Sequence, residues 1–217
     1  MARQGEKIAF QARARRTRNN LVEALETLLK EKAFEDISVA AIAKQAGVSV
    51  GAVYRRFENK DAFIPIVLDV YRARIEAFAT APESRLELNP DAGLFAALQK
   101  MSQLAWQFLE QDGHLLRATF IYARTRPHLI GADWDDFLED SAVSYRQLLT
   151  LFSNEIARPN LDEAARMTLY LLNTGIAEYG LYPLQGPGSV LRVTSDQFTD
   201  AIARAIYGYL TTPETIY

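Results

Sequence analysis

Residues 37–63 read ISVAAIAKQAGVSVGAVYRRFENKDAF, and this stretch decides the fold. Ser38 has a side-chain oxygen that can cap the first turn of a short helix. That helix would bury Ile42 and Ala46, which lie about one turn apart on the same side. Gly47 then supplies the left-handed backbone conformation with which helices commonly end. The first half of the stretch therefore predicts a short helix that closes in a glycine turn.

A second short helix follows this turn. Ser49 can cap it, and Val53 and Phe57 would lie on its buried face. Asn59 can cap a third helix that begins at Lys60. Two short helices joined by a tight turn with glycine form a helix-turn-helix, whose second helix enters the major groove of DNA.

The outer surface of the second helix is suited to DNA. With the two apolar residues buried, a helical wheel turns Gly51, Tyr54 and Arg55 furthest outward. Ala52 and Arg56 flank them. Small residues let the backbone approach the bases, hydroxyl groups and the helix N-terminus can donate to phosphate, and an arginine can pair with guanine. The alternative is a helical hairpin with a solvated charged face.

The same stretch resembles the TetR family of bacterial transcriptional repressors. The matching elements are a hydroxyl residue that opens the second helix, Ile-Ala before Ala-Gly-Val-Ser, then Tyr, Phe and Asn-Lys with an acidic and an apolar residue after them. A preceding amphipathic helix at about residues 17–32 and Phe34 also fit. The resemblance covers roughly residues 17–68, and the rest of the chain matches in length and helical character.

The resemblance implies which residues contact DNA. It places the contacts on small, hydroxyl-bearing and basic residues, namely Ser38, Ser49, Val50, Gly51, Ala52, Tyr54, Arg56 and Lys60. The helical wheel favours Arg55 over Arg56, and both stay candidates. Val50 and Ala52 offer no hydrogen-bonding side chain, so base reading would depend on one arginine, van der Waals contact and DNA shape.

Basic residues are concentrated near the start of the chain. Residues 1–60 hold 12 Lys and Arg against 7 Asp and Glu, whereas the whole chain has a net charge of −3. This asymmetry is typical of a nucleic-acid-binding module joined to another domain, although chance variation in surface charge has the same appearance. The first 20 residues would form a flexible arm in the minor groove or extend the first helix. Arg16 and Arg18 are their candidate DNA contacts.

Hydrophobic periodicity predicts an all-α fold of about nine helices. Strand-like alternation is absent, with the possible exception of Val190 to Thr194. Breaks between helices are expected at Pro82, Asn89-Pro90, Gly113, Arg126-Pro127, Arg158-Pro159-Asn160, Pro183 and Gly186-Pro187-Gly188-Ser189. We predict a three-helix DNA-binding domain with a basic N-terminal segment at residues 1–60. A larger helical ligand-binding and dimerisation domain would occupy residues 61–217.

In proteins that resemble this one, the C-terminal region forms a two-fold dimer through its last two long helices. Here those helices would lie at about residues 161–182 and 194–211. Both carry small residues that allow close helix packing, which are Ala164, Ala165, Thr168, Gly175 and Ala177 in the first and Ala201, Ala205 and Gly208 in the second. Packing inside a single chain is the alternative use of these residues.

The C-terminal region of such proteins also binds a small inducer. Aromatic and polar candidates for its pocket are Trp106, Phe120, Arg124, His128, Trp134, Tyr145, Asn173 and Glu178. Apolar walls with a few polar groups suit a drug-sized or aromatic ligand, while core packing is the alternative for each aromatic ring. Arg124, Arg126 and His128 would receive an anionic ligand or bond the carbonyls of their own helix end. The acidic residues between 133 and 140 fit a solvated helix start.

Composition excludes several classes of function. The chain has no cysteine and two histidines, which excludes disulfides, thiol catalysis and zinc fingers, and we expect no metal or cofactor. No phosphate-binding loop, dinucleotide-binding glycine pattern or nucleophile elbow occurs, so an enzyme is not expected. The sequence shows neither an apolar run of about 20 residues nor a secretory signal, so the expected compartment is the cytoplasm.

The expected function is a dimeric transcriptional repressor that a small-molecule inducer releases from a palindromic DNA operator. Its partners would be double-stranded DNA, the inducer and a second copy of the chain. Two alternatives stay open at this stage. The protein would act as an activator if its operator lay elsewhere, or it would be a helical protein that has lost its operator and acts through protein contacts.

Overall fold

The computed structural model describes residues 2–82, 89–182 and 186–213, with side chains from residue 16 onward except at residue 132. Its α-helices are α1 (Ala2–Leu29), α2 (Val39–Gln45), α3 (Val50–Tyr54), α4 (Ile64–Thr80), α5 (Gly93–Thr125), α6 (Ala132–Thr150), α7 (Leu161–Leu181) and α8 (Ser195–Thr211). Short 3₁₀ helices lie between them at Phe34–Asp36, Lys60–Phe63, Pro90–Ala92, Pro127–Leu129 and Pro187–Val190.

The all-α prediction is confirmed, because no strand occurs in the described part of the chain. Helix α5 accounts for the difference between eight observed and about nine predicted helices. Its backbone leaves the helical conformation at Asp112 (φ −123°, ψ 20°), beside the glycine where the sequence predicts a break. Residues 190–194 form no strand. The predicted loop between Pro82 and Asn89, over residues 83–88, and the break at Pro183 lie outside the described residues.

Helix α1 is longer than the amphipathic segment predicted at about residues 17–32. It runs unbroken from Ala2 to Leu29, which is the helical alternative for the basic N-terminal segment. The alanines at positions 9, 12 and 14 are strong helix formers and favour this extension. Of the helices that the structure describes, α1 included, not one combines the length and the apolar character needed to cross a lipid bilayer.

Two compact units divide the chain. The first consists of Met1–Tyr71 and His114–Gly131, so the second part of α5 packs with the N-terminal helices. The predicted stripe of α1 supplies its floor, because Leu21, Leu25 and Leu29 are buried. The other large buried side chains of this unit include Phe34, Ile37, Ile42, Val53, Phe57, Phe63, Ile64 and Leu115.

The second unit consists of Arg72–Gly113 and Ala132–Tyr217. Helix α7 packs closely against its neighbours, because a Cβ atom at Gly175 would lie 2.8 Å from Ile202 Cδ1 and one at Gly180 would lie 2.6 Å from Leu109 Cδ1. The small residues Ala164, Ala165, Thr168 and Ala177 of α7 are buried within the chain. On α7, packing inside one chain therefore accounts for these residues.

The acidic segment opens α6 as the sequence predicts. Asp133, Asp135, Asp136, Glu139 and Asp140 are all exposed. Both oxygens of Glu139 accept hydrogen bonds from the Arg166 guanidinium at 2.7 and 2.6 Å. Acidic residues in a first helical turn are favoured by the helix dipole, so the segment needs no ligand to explain it.

Candidate DNA-binding surface

The first helix of the predicted helix-turn-helix forms as expected, with one correction. The Ser38 hydroxyl oxygen accepts a hydrogen bond from the Ala41 amide at 3.1 Å and caps α2. Ile42 and Ala43 are buried, whereas Ala46, predicted to be buried, is half-exposed. The reason is that α2 ends at Gln45 and Ala46 is its C-cap. Gly47 adopts φ +67°, which confirms the left-handed turn.

The second helix is short and well anchored. The Ser49 hydroxyl oxygen accepts a hydrogen bond from the Ala52 amide at 3.2 Å, which confirms the predicted cap. Helix α3 ends at Tyr54, so Phe57 lies beyond it and not on its face, yet the chain turns back because the Phe57 amide donates to the Val53 carbonyl. Phe57 stacks on Phe63 with ring centroids 4.1 Å apart. This anchoring fixes which side of α3 faces solvent.

The solvent side of α3 carries the residues predicted to contact DNA. Tyr54 is 55% exposed and Val50 is 41% exposed, large values for an aromatic and an aliphatic side chain. Gly51 is exposed, and a Cβ atom there would meet nothing within 4 Å. Ala52 is half-exposed. The structure therefore places a small, uncovered backbone segment beside a free aromatic ring.

Both candidate arginines are exposed at the end of α3. The Arg56 guanidinium donates to the Ala52 carbonyl at 3.0 Å, so its side chain lies back along the helix. Arg55 is the C-cap of α3. The structure is compatible with either arginine as a base contact, and their separate roles stay predictions.

Lys60 opens the turn after the Asn59 cap. The Asn59 carboxamide oxygen accepts from the Ala62 amide at 3.1 Å, and the turn begins as a 3₁₀ helix before α4. The Lys60 ammonium donates to the Glu35 carbonyl at 2.9 Å and lies 4.7 Å from the centre of the Phe34 ring. Burial lowers the pKa of Lys60, and the nearby Glu35 opposes this effect. An ammonium has three N–H donors, so a phosphate contact stays possible in this position.

Arg16 and Arg18 are exposed on α1. Two residues along a helix correspond to a rotation of roughly 200°, so their side chains leave the helix on different sides. A contact of both with the same phosphate group is therefore disfavoured.

Sequence reasoning missed a second layer beneath this surface. The Tyr122 hydroxyl donates to Glu35 Oε1 at 2.5 Å, across 87 positions of sequence. Arg126 pairs with the Asp61 carboxylate, next to Lys60. Tyr122 is buried, and burial followed by the Glu35 hydrogen bond raises its pKa. The only signal in the sequence is the cationic helix end with Arg126, for which a ligand site and a carbonyl cap are the two interpretations given above.

The candidates for the inducer pocket are divided between the two units. Phe120, Arg124 and His128 belong to the first, and the other five belong to the second, so neither unit contains the whole set. Arg124 donates to the Phe120 carbonyl at 2.9 Å and its guanidinium lies 3.6 Å from the centre of the Phe120 ring. These contacts support the alternative in which Arg124 bonds its own helix end. His128 is exposed in the Pro127–Leu129 turn.

The candidates of the second unit are also set apart from each other. The Trp106 indole donates to Glu110 at 2.7 Å, and Trp134 contacts Phe137 with ring centroids 5.3 Å apart. Burial raises the pKa of Tyr145. Asn173 is exposed on α7, and Glu178 lies near Gly186, whose added Cβ would be 2.8 Å from its Oε1. Their role in ligand binding stays a prediction.

Comparison with known proteins identifies the helix-turn-helix. Residues 21–65 match the family described as bacterial regulatory proteins, tetR family. The probable HTH-type transcriptional regulator ArpR of Pseudomonas putida is 35% identical over 77 residues, which are 36% of this chain and 37% of that protein. TtgR, an HTH-type transcriptional regulator from another strain of Pseudomonas putida, is 34% identical over 77 residues, with the same coverage. The match thus spans little more than a third of these curated relatives.

Solved structures share the fold over nearly the whole chain. Regulatory protein TetR from Rhodobacter sphaeroides has a TM-score of 0.62 at 18% identity, covering 89% of this chain and 98% of that one. The fatty acid degradation regulator FadR from Bacillus halodurans has a TM-score of 0.62 at 16% identity, covering 88% and 95%. The matched proteins are regulators and not enzymes. With its helix-turn-helix and this fold, the chain belongs to the TetR family of bacterial regulatory proteins.

Proposed function

We propose that the chain is a homodimeric, sequence-specific DNA-binding repressor that a small-molecule inducer releases from a palindromic operator. The observation that carries the proposal is the solvent face of α3, where Gly51, Tyr54 and two arginines are exposed on a helix fixed from behind by Val53. A short helix anchored in this way can enter the major groove as a rigid body. The role of the curated relatives as transcriptional regulators supports the regulatory part.

The contacts with DNA follow from the chemistry of each group. Ser38 and Ser49 use an oxygen lone pair for capping, so each hydroxyl hydrogen is still able to reach a phosphate. The Tyr54 hydroxyl and the Lys60 ammonium would also bind phosphate, and Arg55 or Arg56 would pair with guanine. The weak hydrogen-bonding capacity at Val50 and Ala52 implies that DNA shape contributes to sequence preference.

The exposed surface of α7 and α8 supports a two-fold dimer. On α7, Tyr170 is 61% exposed and Met167 is 38% exposed. On α8, Ala201, Ala205 and Gly208 are exposed at a spacing of four and three residues, which places them on one side. Unlike the small residues of α7, they are not consumed by packing inside the chain. A second copy packed on this side would set two α3 helices about one turn of DNA apart.

The inducer would bind within residues 61–217 and change the separation of the two α3 helices. Because the DNA fixes the distance between half-sites, a shift of a few ångströms would lower operator affinity. Such coupling requires that the inducer bind the two forms unequally. We retain residues 1–60 as the DNA-binding part by function. A bacterial regulator of this kind acts on the chromosome, so we place its action in the cytoplasm.

The test is selection of binding sites from a random pool of duplex DNA by the purified chain at near-physiological salt. Enrichment of one palindrome, with half-sites about one helical turn apart, is the expected result. Reporter transcription from that palindrome then separates repression from activation. Uniform, salt-sensitive binding without any enriched sequence would count against a sequence-specific regulator.

A further inference from the structure

The turn at Phe34–Asp36 connects the helix-turn-helix to the second part of α5. The Tyr122 ring packs edge-on against Phe34 with centroids 5.2 Å apart, and its hydroxyl donates to the Glu35 carboxylate at 2.5 Å. The main-chain carbonyl of the same Glu35 accepts from the Lys60 ammonium at 2.9 Å. One residue of the turn therefore bonds the buried tyrosine through its side chain and the DNA-facing lysine through its backbone.

A second carboxylate near Lys60 is held in a similar manner. Asp61 follows Lys60 directly, and Arg126 pairs with its Oδ2 atom. The Asp61 and Arg126 side chains are 40% and 35% exposed, so this pair is within reach of solvent and of a bound polyanion. Glu35 is exposed as well. Lys60 thus lies between two carboxylates, each of which is bonded to a residue of the α5 end.

We propose that Tyr122 and Arg126 are positioning residues for DNA binding, which keep the carboxylates of Glu35 and Asp61 from competing with phosphate for Lys60. This inference rests on the proposed contact of Lys60 with the DNA backbone. Without the tyrosine hydroxyl, the Glu35 carboxylate turns to the ammonium beside its own carbonyl. Without the guanidinium, Asp61 presents an uncompensated negative charge next to Lys60. Each loss removes one cation from the phosphate backbone, directly or by neutralisation.

The charges around Lys60 support this assignment. The pKa of Lys60 is lowered first by burial, while Glu35 and Asp61 raise it and Arg126 lowers it. The four groups are therefore close enough to influence each other. No residue of α3 takes part, so the network acts on the phosphate contact and not on the reading of bases.

The experiment measures the affinity of the full chain for its selected operator and for a random duplex over a range of salt concentrations. The variants are Tyr122→Phe and Arg126→Gln. We expect each to lower affinity for both duplexes by about tenfold. Each should also reduce the slope of log K against log salt by about 1, as for loss of one phosphate contact. The random duplex keeps the measurement informative even if no operator is selected, which would count against the proposed function alone.

Rescue distinguishes this role from a structural one. Glu35→Gln should restore the affinity and salt slope of Tyr122→Phe, and Asp61→Asn should restore those of Arg126→Gln, because each removes the competing charge. A merely structural defect is not repaired by losing the second partner. If Tyr122→Phe fails to fold, Glu35→Gln alone decides, since its amide oxygen still accepts from Tyr122 and its affinity should not fall.

Two matched controls lie in the second unit. Arg166→Gln breaks the ion pair with Glu139, and Tyr179→Phe removes a hydroxyl that donates to the Val193 carbonyl at 2.7 Å. Neither should change the salt slope. The inference is overturned if Tyr122→Phe and Arg126→Gln bind both duplexes with wild-type affinity and slope, or if the charge-removing partners fail to rescue them.

Discussion

At the scale of single residues, two glycines of the helix-turn-helix have opposite physical roles. Gly47 is required by its backbone, because φ +67° is a conformation that side chains with a Cβ adopt at a cost. Gly51 lies in α3, where a Cβ would meet nothing within 4 Å of the chain. Its small size therefore has no explanation inside the molecule, and close approach to DNA supplies one.

Alanine at each glycine should separate stability from DNA binding. Gly47→Ala should lower the free energy of unfolding by about 1–2 kcal/mol. Gly51→Ala should raise it by up to about 1 kcal/mol, since alanine favours the helix, while weakening operator binding. Urea denaturation and operator titration of both variants measure the two effects. Unchanged operator affinity in Gly51→Ala would show that α3 does not approach DNA on this side.

The two arginines at the end of α3 should differ in their effect on base preference. Replacing the residue that reads guanine should weaken operator binding by about 1–3 kcal/mol and relax the preference at one position. Replacing an arginine that binds phosphate should weaken all sequences alike. We expect the first result for Arg56→Ala and the second for Arg55→Ala, measured by repeating site selection with each variant. The reverse result would assign base reading to Arg55.

At the scale of elements, the end of α5 is tied to the first unit by a buried tyrosine. Tyr122 is 2% exposed, and its hydroxyl needs the Glu35 carboxylate because an unpaired buried hydroxyl is unfavourable. The same environment raises its pKa above the ordinary value of 10.0. This contact therefore stabilises the folded unit in its protonated form.

The stability of this contact should depend on alkaline pH. An unfolded chain releases the tyrosine proton above about pH 10, whereas the folded chain retains it, so the contribution is complete below that pH and is lost as pH rises beyond it. Tyr122→Phe should remove up to about 1.4 kcal/mol per pH unit from the alkaline slope. Urea denaturation between about pH 8 and pH 11 measures this difference. Parallel curves for the two proteins would contradict it.

At the scale of the whole molecule, α7 and α8 keep apolar and small residues on the surface. Tyr170 is more than half exposed, and the space around Gly208 is open, with nothing within 4 Å of an added Cβ. A side chain there meets no neighbour in its own chain. Changes at these positions therefore report on a second copy with little effect on the fold.

Gly208→Trp and Tyr170→Glu should each shift the chain from dimer to monomer without lowering its thermal stability at high dilution. Val143 on α6 is 50% exposed and offers a matched control, because it lies outside the proposed interface. Sedimentation velocity over a range of concentrations measures the association. A wild-type monomer, or equal association of all three variants, would refute the α7–α8 dimer.

The sequence by itself determined the elements that close over short distances. The caps at Ser38, Ser49 and Asn59 and the turn at Gly47 were predictable because their hydrogen bonds and backbone angles involve residues within about four positions. The same holds for the limits of α7 and α8 and for the break in α5, which follow from periodicity and glycine or proline. The exposed face of α3 followed from these limits together with the burial of Val53.

Only the tertiary structure decided which distant groups meet. The pairing of Tyr122 with Glu35 spans 87 positions and has no periodic or local signature. Likewise, composition did not distinguish the small residues of α7, which are buried in the chain, from those of α8, which are exposed. The reason is physical: local structure is fixed by short-range bonds along the chain, whereas side-chain partners are fixed by the packing of helices that sequence order leaves free.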